Sequence, residues 1–230
     1  MNSIKELLLK NPLLKPLVKR YISMKIDSQR RKIFTNKYRY NLWGGSKSRS
    51  GPGSDLDSTD IIRKEIPHIL KKYEVKRLLD LPCGDFHWIK EIELPIEQYI
   101  GGDIVREIVL DNKRKYESEK ITFRQIDIVK DPLPDADMII VRDCFIHFSF
   151  KLIQQSLKNI RSSRIKYLLT TIFVGQTFND DIKTGEWRPI NLFLPPFNFP
   201  EPLELINEQP VDINLEFKGK SLGLWKIDEL

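Results

Sequence analysis

From Arg77 to Phe173 the sequence alternates short apolar runs with longer stretches of helical periodicity, and that alternation leaves few architectures open. Arg77 to Leu81, Tyr99 to Gly102, Ile121 to Ile128, Asp137 to Val141 and Tyr167 to Phe173 have the length and apolar content of buried strands. Helical stretches run through Ile108 and Tyr116, and through Leu152, Ile153, Leu157 and Ile160. Strands separated by helices imply a parallel sheet covered on both faces. A further helix is predicted before the first strand, capped by Ser54 or Asp57 and running through Ile61, Ile62, Ile66 and Ile69 to about Tyr73. The C-terminus breaks the rhythm. Val211, Ile213, Leu215 and Phe217 alternate with polar residues, Lys218-Gly219-Lys220 turns, and Ser221 to Ile227 returns, which reads as a hairpin. The predicted fold is α/β: a doubly wound, seven-stranded, mostly parallel sheet with a C-terminal antiparallel hairpin and an N-terminal helical extension.

Charge is spread unevenly along the 230 residues. The net +6 conceals an N-terminal segment, 1–40, with eleven Lys or Arg against two acids, a local charge of +9. The other 190 residues carry −3. Within that segment Leu7, Leu8, Leu13, Leu14, Leu17, Val18, Tyr21, Ile22 and Ile26 recur at three- and four-residue steps among Lys5, Lys10, Lys15, Lys19 and Arg20. A basic amphipathic helix over 4–34, broken near Pro12 and Pro16, is predicted. It suits an anionic membrane surface, an RNA or an acidic protein face, or else packs its apolar stripe on the body. Residues 41–56 form a Gly/Ser-rich loop containing Trp43, Gly51 and several backbone donors, a candidate lid over a ligand. Residues 57–230 make the α/β domain. No run approaches the ~20 apolar residues of a membrane span, and the start lacks the apolar core of a secretory signal. Cys83 and Cys144 offer neither zinc-ligand spacing nor a disulfide framework. A cytoplasmic protein without a metal is expected, peripheral to a membrane at most; the sequence leaves the oligomeric state open.

In a doubly wound sheet, ligands bind at the carboxyl ends of the strands. Here the first strand ends at Asp80 and runs into Leu81-Pro82-Cys83-Gly84-Asp85, where Gly84 lets the backbone approach a ligand. The second ends at Asp103, placed to accept hydrogen bonds from a ribose diol. The third ends at Asp127 with apolar Ile128 behind it, a pair suited to reading and packing an adenine. The fourth ends at Arg142-Asp143. This succession resembles the class I S-adenosylmethionine-dependent methyltransferase family over residues 57–230, terminal hairpin included. Pro82 stands in the family's first glycine place, Gly84 in the second, and Phe86 where a third small residue is common. The resemblance implies S-adenosyl-L-methionine as cofactor, with Trp43, Gly51, Asp80, Pro82, Cys83, Gly84, Asp103, Asp127, Ile128 and Arg142 around it. Asp80 or Asp85 is available to its ammonium. A nucleotide-binding dehydrogenase fits poorly, because Gly-x-Gly-x-x-Gly is absent and Asp85 crowds the place where a pyrophosphate would sit.

Methyl transfer needs the acceptor positioned and, for a hydroxyl, its proton removed. His147 is the first candidate base and Asp143 the second. The 184–202 segment, stiffened by prolines and carrying Trp187, Arg188 and Asn191, is the candidate acceptor loop, its aromatics suited to stacking on a sugar or ring. Leu194-Pro195-Pro196-Phe197 is similar to the signature of amino-group methyltransferases, but follows the fifth strand instead of the fourth and begins with leucine. O-methylation of a sugar hydroxyl or other small polar metabolite is therefore expected. The alternatives are an RNA methyltransferase using the basic arm, or a non-catalytic cofactor-binding partner protein.

Overall fold

The computed structural model describes residues 11–208 and 218–230, and in it seven strands form one sheet. β1 (Arg77–Asp80), β2 (Gln98–Asp103), β3 (Ile121–Gln125), β4 (Met138–Val141) and β5 (Tyr167–Phe173) run parallel. β6 (Glu204–Asn207) and β7 (Lys220–Lys226) close one edge, with β7 antiparallel to both β5 and β6. The spatial order is β3-β2-β1-β4-β5-β7-β6. The chain runs from β1 outward to β2 and β3 and then crosses back to β4 on the other side of β1, so the loops at this switch point splay apart and open a crevice.

Parallel strands covered on both faces need apolar residues at successive positions. β4 is buried throughout, and consecutive Leu78 and Leu79 enter opposite layers. One layer holds α2 (Asp60–Lys72), whose Ile62, Ile66, Ile69 and Leu70 form its buried stripe. The other holds α4 (Phe150–Arg161), with Leu152, Ile153, Leu157 and Ile160 inward. α3 (Arg106–Tyr116) follows β2 and contributes Ile108 to one layer and Val109 to the other.

The N-terminal extension is described from residue 11, so the part of the expected helix over 4–10 lies outside the described residues. Residues 11–14 form a turn and α1 (Lys15–Arg39) begins after it, where the sequence places the break near Pro12 and Pro16, with Pro16 in the first turn, where a missing backbone N–H costs nothing. Its second half belongs to the body: Phe34 and Tyr38 join the same buried cluster as Leu79 and Ile139. The apolar residues of its first half do not; Leu17 and Tyr21 stand in solvent. The expected first arm of the hairpin, Val211 to Phe217, lies outside the described residues, and the described partner of β7 is Glu204–Asn207. No helix among the described residues is long and apolar enough to cross a membrane.

Candidate functional site

The carboxyl ends of the central strands surround a cavity of about 250 Å³. All ten expected cofactor residues line it: Asp80, Pro82, Cys83 and Gly84 from the β1 turn, Asp103 from β2, Asp127 and Ile128 beyond β3, Arg142 beyond β4, and Trp43 and Gly51 from the loop above. Asp80 is buried and accepts the Tyr99 hydroxyl at 2.6 Å. Burial pushes its carboxyl up to about 7, against the opposing pull of Tyr99 and the Arg142 charge. Asp103 is held by backbone: Oδ1 accepts Val105 N–H at 2.8 Å and Oδ2 accepts Gly84 N–H at 3.3 Å. Burial raises it to about 6. Each of its oxygens keeps a second lone pair for a ligand hydroxyl.

Gly84 has a φ of +54°, and a Cβ there would stand 2.3 Å from Ser50 Oγ. The residue is needed because the loop above comes down onto this turn. That loop hangs from Asp85, which accepts Ser48 Oγ at 2.9 Å, Arg49 N–H at 2.8 Å and Ser50 Oγ at 3.2 Å, while Asp85 N–H donates back to Ser50 Oγ at 3.0 Å. Asp85 is thus committed to the loop, which leaves Asp80 as the acid of this turn that lines the cavity without a loop contact. Trp43 packs in the same loop with its indole N–H buried and unpaired. Burial pushes both cysteine thiols up, so neither is a ready nucleophile.

One element that the sequence does not assign to the cavity, α1, contributes to it. Phe34 of α1 lines it. One turn earlier, Arg30, 3% exposed, donates to Asp127 Oδ2, while Asp127 Oδ1 accepts Val129 N–H at 3.1 Å. Asp27 extends the network to Arg30 at 2.9 Å and to Lys130 at 2.8 Å. The only local signal was Asp27 three residues before Arg30, a helical spacing that fixes the pair but not its partner 97 residues away.

Beyond β4 lies a buried cluster of two cations and two anions. Arg142 donates to Glu208 Oε2 at 2.5 Å and to the Gly53 carbonyl at 2.8 Å, and its guanidinium lies over Trp88. Lys220 pairs with Asp143 at 2.7 Å and reaches Glu208 at 3.4 Å. The two cations hold the Asp143 carboxyl down at about 2 despite its burial. Ion pairing with Lys220 and Arg142 stabilises the charged form of Asp143 and makes it a weaker proton acceptor than a free aspartate. Lys220 follows the Gly219 turn in sequence, and its neighbours in space make it the counter-ion of Asp143 and Glu208.

His147 stands at the cavity beside Trp43, the ring centroids 6.2 Å apart. Its Nδ1 lies 2.9 Å from the Glu186 carbonyl, which can only accept, so Nδ1 carries the proton and Nε2 keeps a free lone pair. Burial lowers its pKa below the ordinary histidine value, keeping the ring neutral at pH 7. Of the expected acceptor residues, Trp187 lines the cavity, whereas Arg188 and Asn191 do not. Arg188 is buried and donates to the carbonyls of Phe145, Phe148 and Asp180 at 2.8, 3.0 and 2.9 Å, clamping the turn that carries His147. Asn191 is spent on Gln176 O and Phe193 N–H. A guanidinium or amide buried in an irregular loop satisfies carbonyls before it can meet a substrate.

Chemically, the cavity offers two buried carboxylates with lone pairs free, an apolar wall of Ile108, Ile126 and Ile128, and the aromatic side chain of Trp43. Such a lining suits a ligand that combines a diol, a flat heterocycle and positive charge, and it repels phosphates.

No protein-family model matches the sequence, and no curated protein matches it. Solved structures do. The methyltransferase domain of bacterial CtHen1 superposes with a TM-score of 0.53 at 14% identity, over 73% of this chain and 98% of that one. The N-methyltransferase NodS from Bradyrhizobium japonicum WM9 gives 0.52 at 10% identity, over 75% and 98%. Human N-acetylserotonin methyltransferase, solved in complex with SAM, gives 0.43 at 21% identity over 50% of this chain, which spans only 34% of that longer one. The first two likenesses establish the fold: this chain has the class I methyltransferase fold.

Proposed function

We propose that this class I methyltransferase fold binds S-adenosyl-L-methionine and transfers its methyl group to the oxygen of a small polar acceptor, a sugar hydroxyl first among them. The observation that carries the reading is the ordered set of buried acids, Asp80, Asp103 and Asp127, at the ends of β1, β2 and β3 around one cavity with His147 beside it. The donor set fits the cofactor. Asp103 would hold the ribose diol, Asp80 the ammonium, and Ile128 with Asp127 the adenine. When bound, the cofactor supplies an electrophilic methyl on a sulfonium that departs as a neutral thioether. The chain's own work is then to place an acceptor and take its proton. His147 Nε2, neutral and lone-paired, accepts that proton, and the Glu186 carbonyl stabilises the resulting imidazolium through Nδ1–H. Arg188 keeps the His147 turn rigid through the Phe145 and Phe148 carbonyls. Trp187 offers an aromatic surface at the same cavity.

Leu194-Pro195-Pro196-Phe197 lies outside the cavity lining, which supports oxygen over an amino group as acceptor. Calorimetry with S-adenosylhomocysteine tests the cofactor: micromolar binding by the intact chain, lost in Asp103→Ala, is expected. A chain that does not bind it sinks the proposal. Release of S-adenosylhomocysteine across a panel of mono- and disaccharides, amines and RNA then separates oxygen from nitrogen and small acceptors from nucleic acid.

A further inference from the structure

The first half of α1 carries a set of side chains that the fold does not use. Leu17, Tyr21 and Met24, spaced four and three residues apart and so sharing one helix face, are 63%, 64% and 62% exposed. Leu13, just before the helix, is 84% exposed and Leu14 is exposed as well. Around them Lys15, Arg20, Lys25, Arg31 and Lys32 stand in solvent. The one acid between residues 11 and 40, Asp27, is spent on Arg30 and Lys130. The surface is therefore apolar along its middle and cationic around it, with no free carboxylate in the segment.

We propose that this face of α1 docks on an anionic lipid bilayer. A nucleic acid would use the five bases and leave the large apolar side chains in water. An apolar protein groove would use the apolar row and bury cations beside it. An anionic bilayer takes both, with the apolar row at the acyl boundary and the bases among the headgroups. The complementary charge belongs to this segment alone, since residues 41–230 carry a net −3. The helix is also a rigid link to the cavity. Met24 and Phe34 are ten residues apart on it, about 15 Å along the axis, and Phe34 lines the cavity while Arg30 pins the helix to Asp127.

The full chain is tested by flotation with phosphatidylcholine vesicles with and without phosphatidylserine, at low and physiological salt. Binding to the anionic vesicles only, weakened roughly tenfold by the added salt, is expected. The double variant Leu17→Glu/Met24→Glu should lose it. Both positions are exposed, so an unchanged melting temperature will show that this variant is folded. Lys25→Glu/Lys32→Glu should weaken binding with the apolar row intact. Equal binding to neutral and anionic vesicles, no binding to either, or full binding by Leu17→Glu/Met24→Glu would each overturn the proposal. So would a dimer in solution that Leu17→Glu/Met24→Glu dissociates, or RNA binding without vesicle binding.

Discussion

Replacing Arg30 with alanine removes the cation paired with Asp127 and leaves a carboxylate 2% exposed with, among the described residues, a backbone donor from Val129. The loss is not that of a surface pair, worth about 0–1 kcal/mol. Both members are buried, at 3% and 2% exposure, and removing one partner of such a pair costs about 3–5 kcal/mol because the other is left desolvated and unpaired. Here the low end applies. Asp127 keeps its bond to Val129 N–H, and Asp27, the second acid on Arg30, retains Lys130. A loss of about 3 kcal/mol is expected, which for a domain of this size lowers the melting temperature by about 6–12 °C. Urea unfolding of the wild type, Arg30→Ala, Asp127→Asn and the double variant gives the coupling directly. The double variant should recover much of the loss, because the remaining amide has no charge to desolvate, and the coupling should exceed about 1.5 kcal/mol. An Arg30→Ala cost under about 1 kcal/mol, or additive single effects, would refute a buried pair and with it the docking of α1 on the cavity.

Three other outcomes are expected. Asp80 and Asp103 have folded pKa values, about 7 and about 6, above the 3.8 of a free aspartate. Their contribution to stability is therefore complete below about pH 4 and disappears as pH rises through 6 to 7, whereas Asp143, held at about 2, acts only below pH 4. Melting of the ligand-free protein should fall across that window, and Asp80→Asn should flatten the fall; equal slopes would contradict the assignment. His147→Ala should reduce turnover about 10²–10⁴-fold with S-adenosylhomocysteine affinity unchanged in calorimetry, and a rate within tenfold of wild type would remove His147 as base. Gly84→Ala forces a side chain into a φ of +54° and against Ser50 Oγ. A cost of about 1–3 kcal/mol in urea unfolding is expected, with weaker S-adenosylhomocysteine binding, and a neutral effect would mean that the loop does not rest on this turn.

The strands and the order of acids at their ends were legible because both follow from local pattern: buried parallel strands must be apolar at successive positions, and ligand groups must sit where those strands stop. The helix before β1 was legible for the same reason, although its N-cap is Thr59, without a side-chain capping bond, and not Ser54 or Asp57. What stayed hidden depends on charges that meet only in space. Arg30 and Asp127 are 97 residues apart, and Arg142 and Glu208 are 66 apart. Neither pairing follows from spacing, so the cations that meet Asp127 and Asp143 in space could not be foreseen. Arg188 shows the reverse error. Among aromatics in a loop it resembles a substrate ligand, but burial turns a guanidinium toward the nearest carbonyls, and its service is to the His147 turn. The break near Pro12 and Pro16 was legible because a proline is costly inside a helix, and α1 begins there with Pro16 in its first turn, where it is tolerated.

Asp85 binds the 41–56 loop from the turn that also contains Gly84. A ligand in the cavity and the loop above it are consequently fastened to adjacent residues of one rigid turn. We expect the dwell time of a bound ligand to depend on how often Ser48 and Ser50 exchange Asp85 for water, as well as on the depth of the cavity. Removing that carboxylate should leave the walls intact and shorten the stay.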